Sequence, residues 1–175
     1  MRIQEVIRTI NQMQSDGVIQ RYAIGGAVGA TFYLEPAATL DVDVFVAFKS
    51  DAGSPLISPK PIFDYLKERG CNMEGEYVMI AGWPVQFLPP TSPLVEEALE
   101  QAVERDVGGS IARVFTPEHL AAIALQTGRG KDMARLMDFM EFDEMNADRF
   151  EEIVKHHGLE SALDRFHQQF GRGNT

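Results

Sequence analysis

Cysteine is almost absent: Cys71 stands alone among 175 residues. One thiol excludes an intrachain disulfide, and neither a CxxC motif nor a Cys/His zinc pattern occurs. No run approaches the ~20 apolar residues that a membrane-spanning helix needs. Positive charge is scarce too, with 16 Lys and Arg against 26 Asp and Glu and a net charge of −10. That deficit argues against non-specific nucleic-acid binding, which works by neutralising phosphates. Any recognition of RNA would have to be focused on a local basic patch. With a single thiol, a reducing cytoplasm is the expected setting, and the charge in Met1-Arg2-Ile3-Gln4-Glu5 comes too soon for the apolar region of a secretory signal. Apolar surface is plentiful: 45% of the residues are hydrophobic, enough for a proper core. The length suits one domain, or a small domain with a helical appendage. Only the tail from Gly171 to Thr175 reads as disordered.

Against that background one stretch stands out, Leu40-Asp41-Val42-Asp43-Val44, which follows Gly25-Gly26 closely. Side chains alternate along a strand, so Asp41 and Asp43 leave one face about two rises of ~3.3 Å apart. Two like charges that close repel unless a cation lies between them. Acid-x-acid pairs are common on solvated strands, so the flanks matter. Val42, Val44, Val46 and Phe48 make one continuous apolar face, while Asp41, Asp43, Phe45 and Ala47 make the other. The second face passes from charged to apolar along the strand, which describes a cleft floor better than a solvent edge. Hard oxygen ligands beside a glycine turn suit a Mg²⁺-nucleotide.

The rest of the chain divides near residue 90. Ile3, Val6, Ile7 and Ile10 recur at helical spacing, and this opening helix ends near Gly17. Tyr22-Ala23-Ile24 reads as a short strand, broken by Gly25-Gly26 into a helix over Ala27 to Tyr33. The second strand covers Asp41 to Phe48, and Asp51 to Pro61 is a Pro- and Gly-rich loop. A helix over Ile62, Phe63 and Leu66 stops at Gly70, and a hairpin joins Glu76–Ile80 to Val85–Leu88. Ser92-Pro93 caps a helix expected to run to about Glu104, and Thr116-Pro117 caps another over Glu118 to Gln126. Ile111 to Phe115 is extended between them. Three further helices carry Met133 to Met140, Phe150 to His157 and Leu159 to Phe170.

Several local patterns carry little by themselves. Gly25-Gly26 is not a dinucleotide fingerprint, because Ala27 occupies the second glycine position of GxGxxG. Gly128-Arg129-Gly130-Lys131-Asp132 lacks the ending of a phosphate-binding P-loop. His156-His157-Gly158 reads as a helix end, where imidazoles suit the negative dipole end and glycine the cap. His119 is expected at the surface or against a partner, and Glu96-Glu97 on a solvated face.

The joint pattern of strand, Gly-Gly, helix and Asp-x-Asp strand resembles the nucleotidyltransferase superfamily built on the DNA polymerase β palm. Further along, Thr116-Pro117-Glu118-His119-Leu120 and Gly128-Arg129-Gly130-Lys131-Asp132 are similar to segments of the abortive-infection type nucleotidyltransferase toxins and their relatives. The likeness runs from about Tyr22 to about Leu136. It implies an α+β fold: a small mixed β-sheet core with flanking helices over residues 1–90, then a mainly helical C-terminal region over 91–175. It also implies roles. Asp41 and Asp43 would bind Mg²⁺, Gly25 and Gly26 would present backbone to the triphosphate of an NTP, and Arg129 and Lys131 would meet phosphate charge. The reaction implied is transfer of NMP to a hydroxyl of RNA, protein or a small molecule.

Two departures qualify that expectation. The superfamily carries a third carboxylate on a later strand, where this chain has Gln86 within Val85-Gln86-Phe87-Leu88. An amide can ligate weakly but cannot serve as a base. With a hairpin turning at Gly82-Trp83, Gln86 would oppose Met79 and Glu76 would point to the other face, leaving no acid in place. Ala124 stands where the toxin-type relatives have a lysine. A non-catalytic nucleotide-binding or partner-binding subunit, or a toxin–antitoxin component, is therefore the competing expectation.

Overall fold

The computed structural model describes residues 3–36, 39, 41–48, 58–143 and 145–171. Residues 51–57 of the expected loop, Leu40 and the last four residues of the tail lie outside them. The chain runs α1 (Ile3–Ser15), β1 (Arg21–Ile24), α2 (Gly26–Ala30), β2 (Val42–Ala47), α3 (Lys60–Glu68), β3 (Asn72–Glu74), β4 (Tyr77–Ile80) and β5 (Trp83–Leu88). It continues through α4 (Pro93–Glu100), β6 (Val103–Val107), β7 (Ser110–Val114), α5 (Pro117–Thr127), α6 (Gly130–Met140), α7 (Ala147–His156) and α8 (Glu160–Phe170). No helix among the described residues is long and apolar enough to cross a membrane.

The strands form one mixed sheet in the order β3-β4-β5-β2-β1-β7-β6. β2 sits at its centre, antiparallel to β1 and parallel to β5. Its two faces go to two different cores, as the alternating pattern requires. Val42, Val44 and Val46 are fully buried against α1 and α3, with Ile7, Ile10, Met13, Ile62 and Leu66. Phe45 and Ala47 face the opposite side, where Phe115 and the helices from α4 onward form the second cluster. The result is a sheet sandwiched between α1 and α3 on one side and the C-terminal helices on the other. The Asp41/Asp43 end of β2 is the part of this second face that the helices leave open.

The two proline caps act as expected. Ser92 Oγ accepts from the Val95 amide at 3.3 Å, and Thr116 Oγ1 accepts from the His119 amide at 3.3 Å. Several elements differ from the sequence reading. The helix expected through Glu104 ends at Glu100, and Val103-Glu104 begins β6, which pairs with β7 and joins the sheet. β3 is an additional edge strand. The helix after Gly25 is short, Gly26–Ala30, rather than reaching Tyr33.

Candidate nucleotide site

Asp43 lies on β2 and Asp41 immediately before it, beside the turn that ends β1. Gly25 donates its amide to the Asp43 carbonyl at 3.0 Å, which ties that turn to the strand. Gly26 has φ +56°, the left-handed region that glycine enters at little cost. A side chain there would also collide with the Asp43 carboxylate, so the bare α-carbon is what lets Asp43 fold over the turn. Gly25 serves a different need. A Cβ on it would come within 2.6 Å of Phe45 and 2.9 Å of Phe115, both packed in the second core. Of the two glycines, Gly26 lines the cleft beside Asp41 and Asp43.

That cleft has two connected lobes of about 490 and 450 Å³, which share Gly26, Asp41, Asp43, Arg129, Lys131, Asp132 and Arg135. Neither Asp41 nor Asp43 has an ion-pair partner within 4.0 Å among the described residues. Burial, and then the neighbouring Asp41 charge, push the Asp43 carboxyl above its ordinary range. Lys131, Arg135 and Arg129 pull it back without touching it. Arg129 is held by Asp132 at 2.7 Å, and Asp132 also reaches Arg135 at 3.6 Å. Asp132 is 3% exposed, so it is a buried brace for the two guanidinium groups. The motifs do not single out Arg135, although it lies one helical turn after Lys131 on the same face of α6. Ala124 lines the same cleft and adds no charge to it.

Gln86 stands where expected along β5. The parallel pairing of β2 with β5 sets it directly beside Asp43. Its surroundings, however, correct the sequence reading. The hairpin turns at Ala81-Gly82, both with positive φ, and Met79 pairs with Pro84 rather than with Gln86. Gln86 Nε2 donates to Glu76 Oε2 at 3.0 Å. Strand alternation assigns Glu76 to the far face, but Glu76 belongs to no strand. It occupies the tight turn between β3 and β4, after Gly75 at φ +65°, where alternation does not constrain a side chain. Glu76, Tyr77 and Gln86 line the same lobe as Asp41 and Asp43.

The histidines are placed differently from expectation. His119 is fully buried: its Nδ1 meets Thr116 Oγ1 at 2.7 Å and its Nε2 meets Glu97 Oε1 at 3.0 Å. Glu97 is correspondingly no solvated acid, since His157 Nε2 meets its other oxygen at 2.9 Å. His157 does cap α7, with Gly158 at φ +66°. Glu97, His156 and His157 bring ligand atoms within 4.8 Å of one another, and none of the three lines the cleft. The trio ties α4 to the end of α7.

The cleft's own donor set fits a divalent cation. Two hard carboxylates with no countercharge in contact, one of them strained by burial and by the other, are what a partly hydrated Mg²⁺ would relieve. The cations on α6 stand around the same space and are suited to phosphate oxygens.

No family model matches the chain, and no curated protein does. Solved structures do. An antigenic nucleotidyltransferase-like protein from Paracoccidioides brasiliensis superposes with a TM-score of 0.66 at 15% identity, over 97% of this chain and 89% of that one. ANT(2″)-Ia in complex with adenylyl-2″-tobramycin gives 0.54 at 12% identity, over 93% of this chain and 98% of that one. The solution structure of the same antibiotic-resistance factor gives 0.52 at 12% identity, over 95% and 97%.

Proposed function

From the nucleotidyltransferase fold as premise, we propose that this protein transfers a nucleoside monophosphate from an NTP to a hydroxyl acceptor, with Mg²⁺ at Asp41 and Asp43. The observation that carries the proposal is the unpaired acid couple on the cleft wall, faced by three cations of α6 and its cap. When bound, the metal would neutralise charge that develops on the phosphates during in-line displacement. Asp41 and Asp43 supply its carboxylate oxygens. Gly26 gives the space in which Asp43 can do so. Lys131 and Arg135 offer positive charge to the triphosphate, and Arg129, braced by Asp132, fixes the direction from which it is presented. The acceptor oxygen then bonds to the α-phosphorus as the bond to pyrophosphate breaks.

One structural neighbour, ANT(2″)-Ia, was solved in complex with an adenylylated tobramycin, so polyhydroxylated small molecules belong in the first acceptor panel beside RNA and protein. A competing reading, nucleotide binding without turnover in a partner-binding or toxin–antitoxin role, draws on Gln86, an amide set beside Asp43. One assay separates the two. With α-labelled NTPs and Mg²⁺, the wild type should release pyrophosphate, and Asp43→Asn should lower that rate by roughly 10²-fold or more. Metal-dependent binding with no release from any NTP or acceptor would favour the second reading. An Asp43→Asn variant as fast as wild type would end the first.

A further inference from the structure

The transfer step displaces a hydroxyl proton, and the position beside Asp43 that could take it carries an amide. A Gln side chain accepts no proton at neutral pH. One strand further along the sheet, the β3–β4 turn presents a carboxylate to the same lobe of the cleft, with Glu76 Oε2 held by Gln86 Nε2 at 3.0 Å. We infer that Glu76 is the proton acceptor of the reaction, supplied from the turn before β4 instead of from β5. The inference rests on the transfer reading above.

Geometry separates this role from metal binding. From Asp43 to Gln86 is one strand spacing, and from Gln86 to the turn is a second, so the backbones of Asp43 and Glu76 are about 10 Å apart. Asp41, Asp43 and Glu76 do not converge as a set within 4.8 Å among the described residues. Glu76 therefore lines the lobe with the acid pair without joining it as a third ligand. Tyr77 lines the same lobe: after burial, its phenol is raised by the charges of Asp41 and Glu76, by its side-chain interaction with Glu76, and more weakly by Asp43. A hydroxyl entering between Glu76 and the acid pair has a carboxylate on one side and the nucleotide on the other. Its oxygen bonds to the α-phosphorus, the bond from that phosphorus to pyrophosphate breaks, and the proton passes to a Glu76 carboxylate oxygen.

The test uses Glu76→Gln and Glu76→Asp, with Mg²⁺ and each of the four α-labelled NTPs, and water as the acceptor so that NMP release is read directly. Glu76 is exposed, so neither substitution should shift the thermal transition. Glu76→Gln should bind Mg²⁺-NTP within a factor of about 3 of wild type by calorimetry, yet form NMP about 10²-fold more slowly or worse. Glu76→Asp, which keeps the carboxylate, should be faster than Glu76→Gln. Wild-type rates in Glu76→Gln, or equal rates in the two variants, overturn the inference alone. Loss of Mg²⁺-NTP binding in Glu76→Gln would make it a metal ligand and also overturn it. A wild type that releases no pyrophosphate from any NTP, with water or with any acceptor of the panel, overturns the transfer reading, and the inference with it.

Discussion

In the metal-binding role proposed for Asp43, function and stability pull in opposite directions. Its carboxyl is raised by burial and by Asp41, so the charged form is disfavoured in the folded protein. A folded-state pKa above the unfolded value means stability that is full at low pH and lost as pH rises through the folded value. Asp43→Asn removes the charge and nearly preserves the shape, so it should raise the thermal midpoint at pH 7 by about 2 °C or more. The same variant should show no gain at a pH low enough to protonate Asp43 in the wild type. A lower midpoint at pH 7 would mean that Asp43 is not a strained group. Gly26 expresses the same constraint from the other side, since any side chain there collides with that carboxylate.

At the level of elements, α4, α5 and α7 are joined by one polar network inside an otherwise apolar cluster. Glu97 accepts from His119 of α5 and from His157 at the end of α7. Burial alone would raise Glu97, but the two imidazole hydrogen bonds hold it below its ordinary range. Burial lowers His119, against the pull of Glu97. A depressed imidazole is neutral in the folded protein while the unfolded chain takes up protons below its ordinary value of about 6.5. Stability is therefore full above that pH and falls as pH is lowered from it. Thermal unfolding followed from pH 7.5 to 5.5 should show this decline, and His119→Gln should flatten it even though the variant starts less stable. Equal slopes would show that the network does not titrate in this window.

The same level shows why some elements are legible in the sequence and others are not. β2 is legible because valines occupy one face while the other changes from acid to apolar, and both faces are packed. The helices after Ser92 and Thr116 are marked by caps whose hydroxyls do accept backbone amides. β3 and β6 are the two outer strands of the sheet, and Asn72-Met73-Glu74 and Glu104-Arg105-Asp106 are exposed. Strands at an edge need no buried face, and charge there guards against pairing with other chains, so no periodicity marks them. Within the site, Asp41, Asp43, Arg129 and Lys131 come together in one cleft, as their motifs suggest. Glu76 escapes because alternation holds for strands and not for turns, and the observed hairpin register, with Met79 opposite Pro84, moves its neighbours as well. His119 escapes because its partner Glu97 lies on a different helix, a contact that spacing along the chain does not encode.

For the whole molecule, an acidic chain of net charge −10 gathers Arg129, Lys131 and Arg135 around two acids at the open end of its central strand. That close setting of cations beside carboxylates in a cleft is the arrangement expected of a metal–triphosphate site, where cation and anion are bound together. The most direct test is calorimetric titration of each NTP into wild type and into Asp41→Ala, with Mg²⁺ and with EDTA. At least one NTP should bind the wild type only when Mg²⁺ is present, and the same titration into Asp41→Ala should give no heat beyond dilution. Absence of binding by every NTP, or binding that survives both EDTA and the substitution, would contradict the assignment of Asp41 and Asp43 as the metal-nucleotide site.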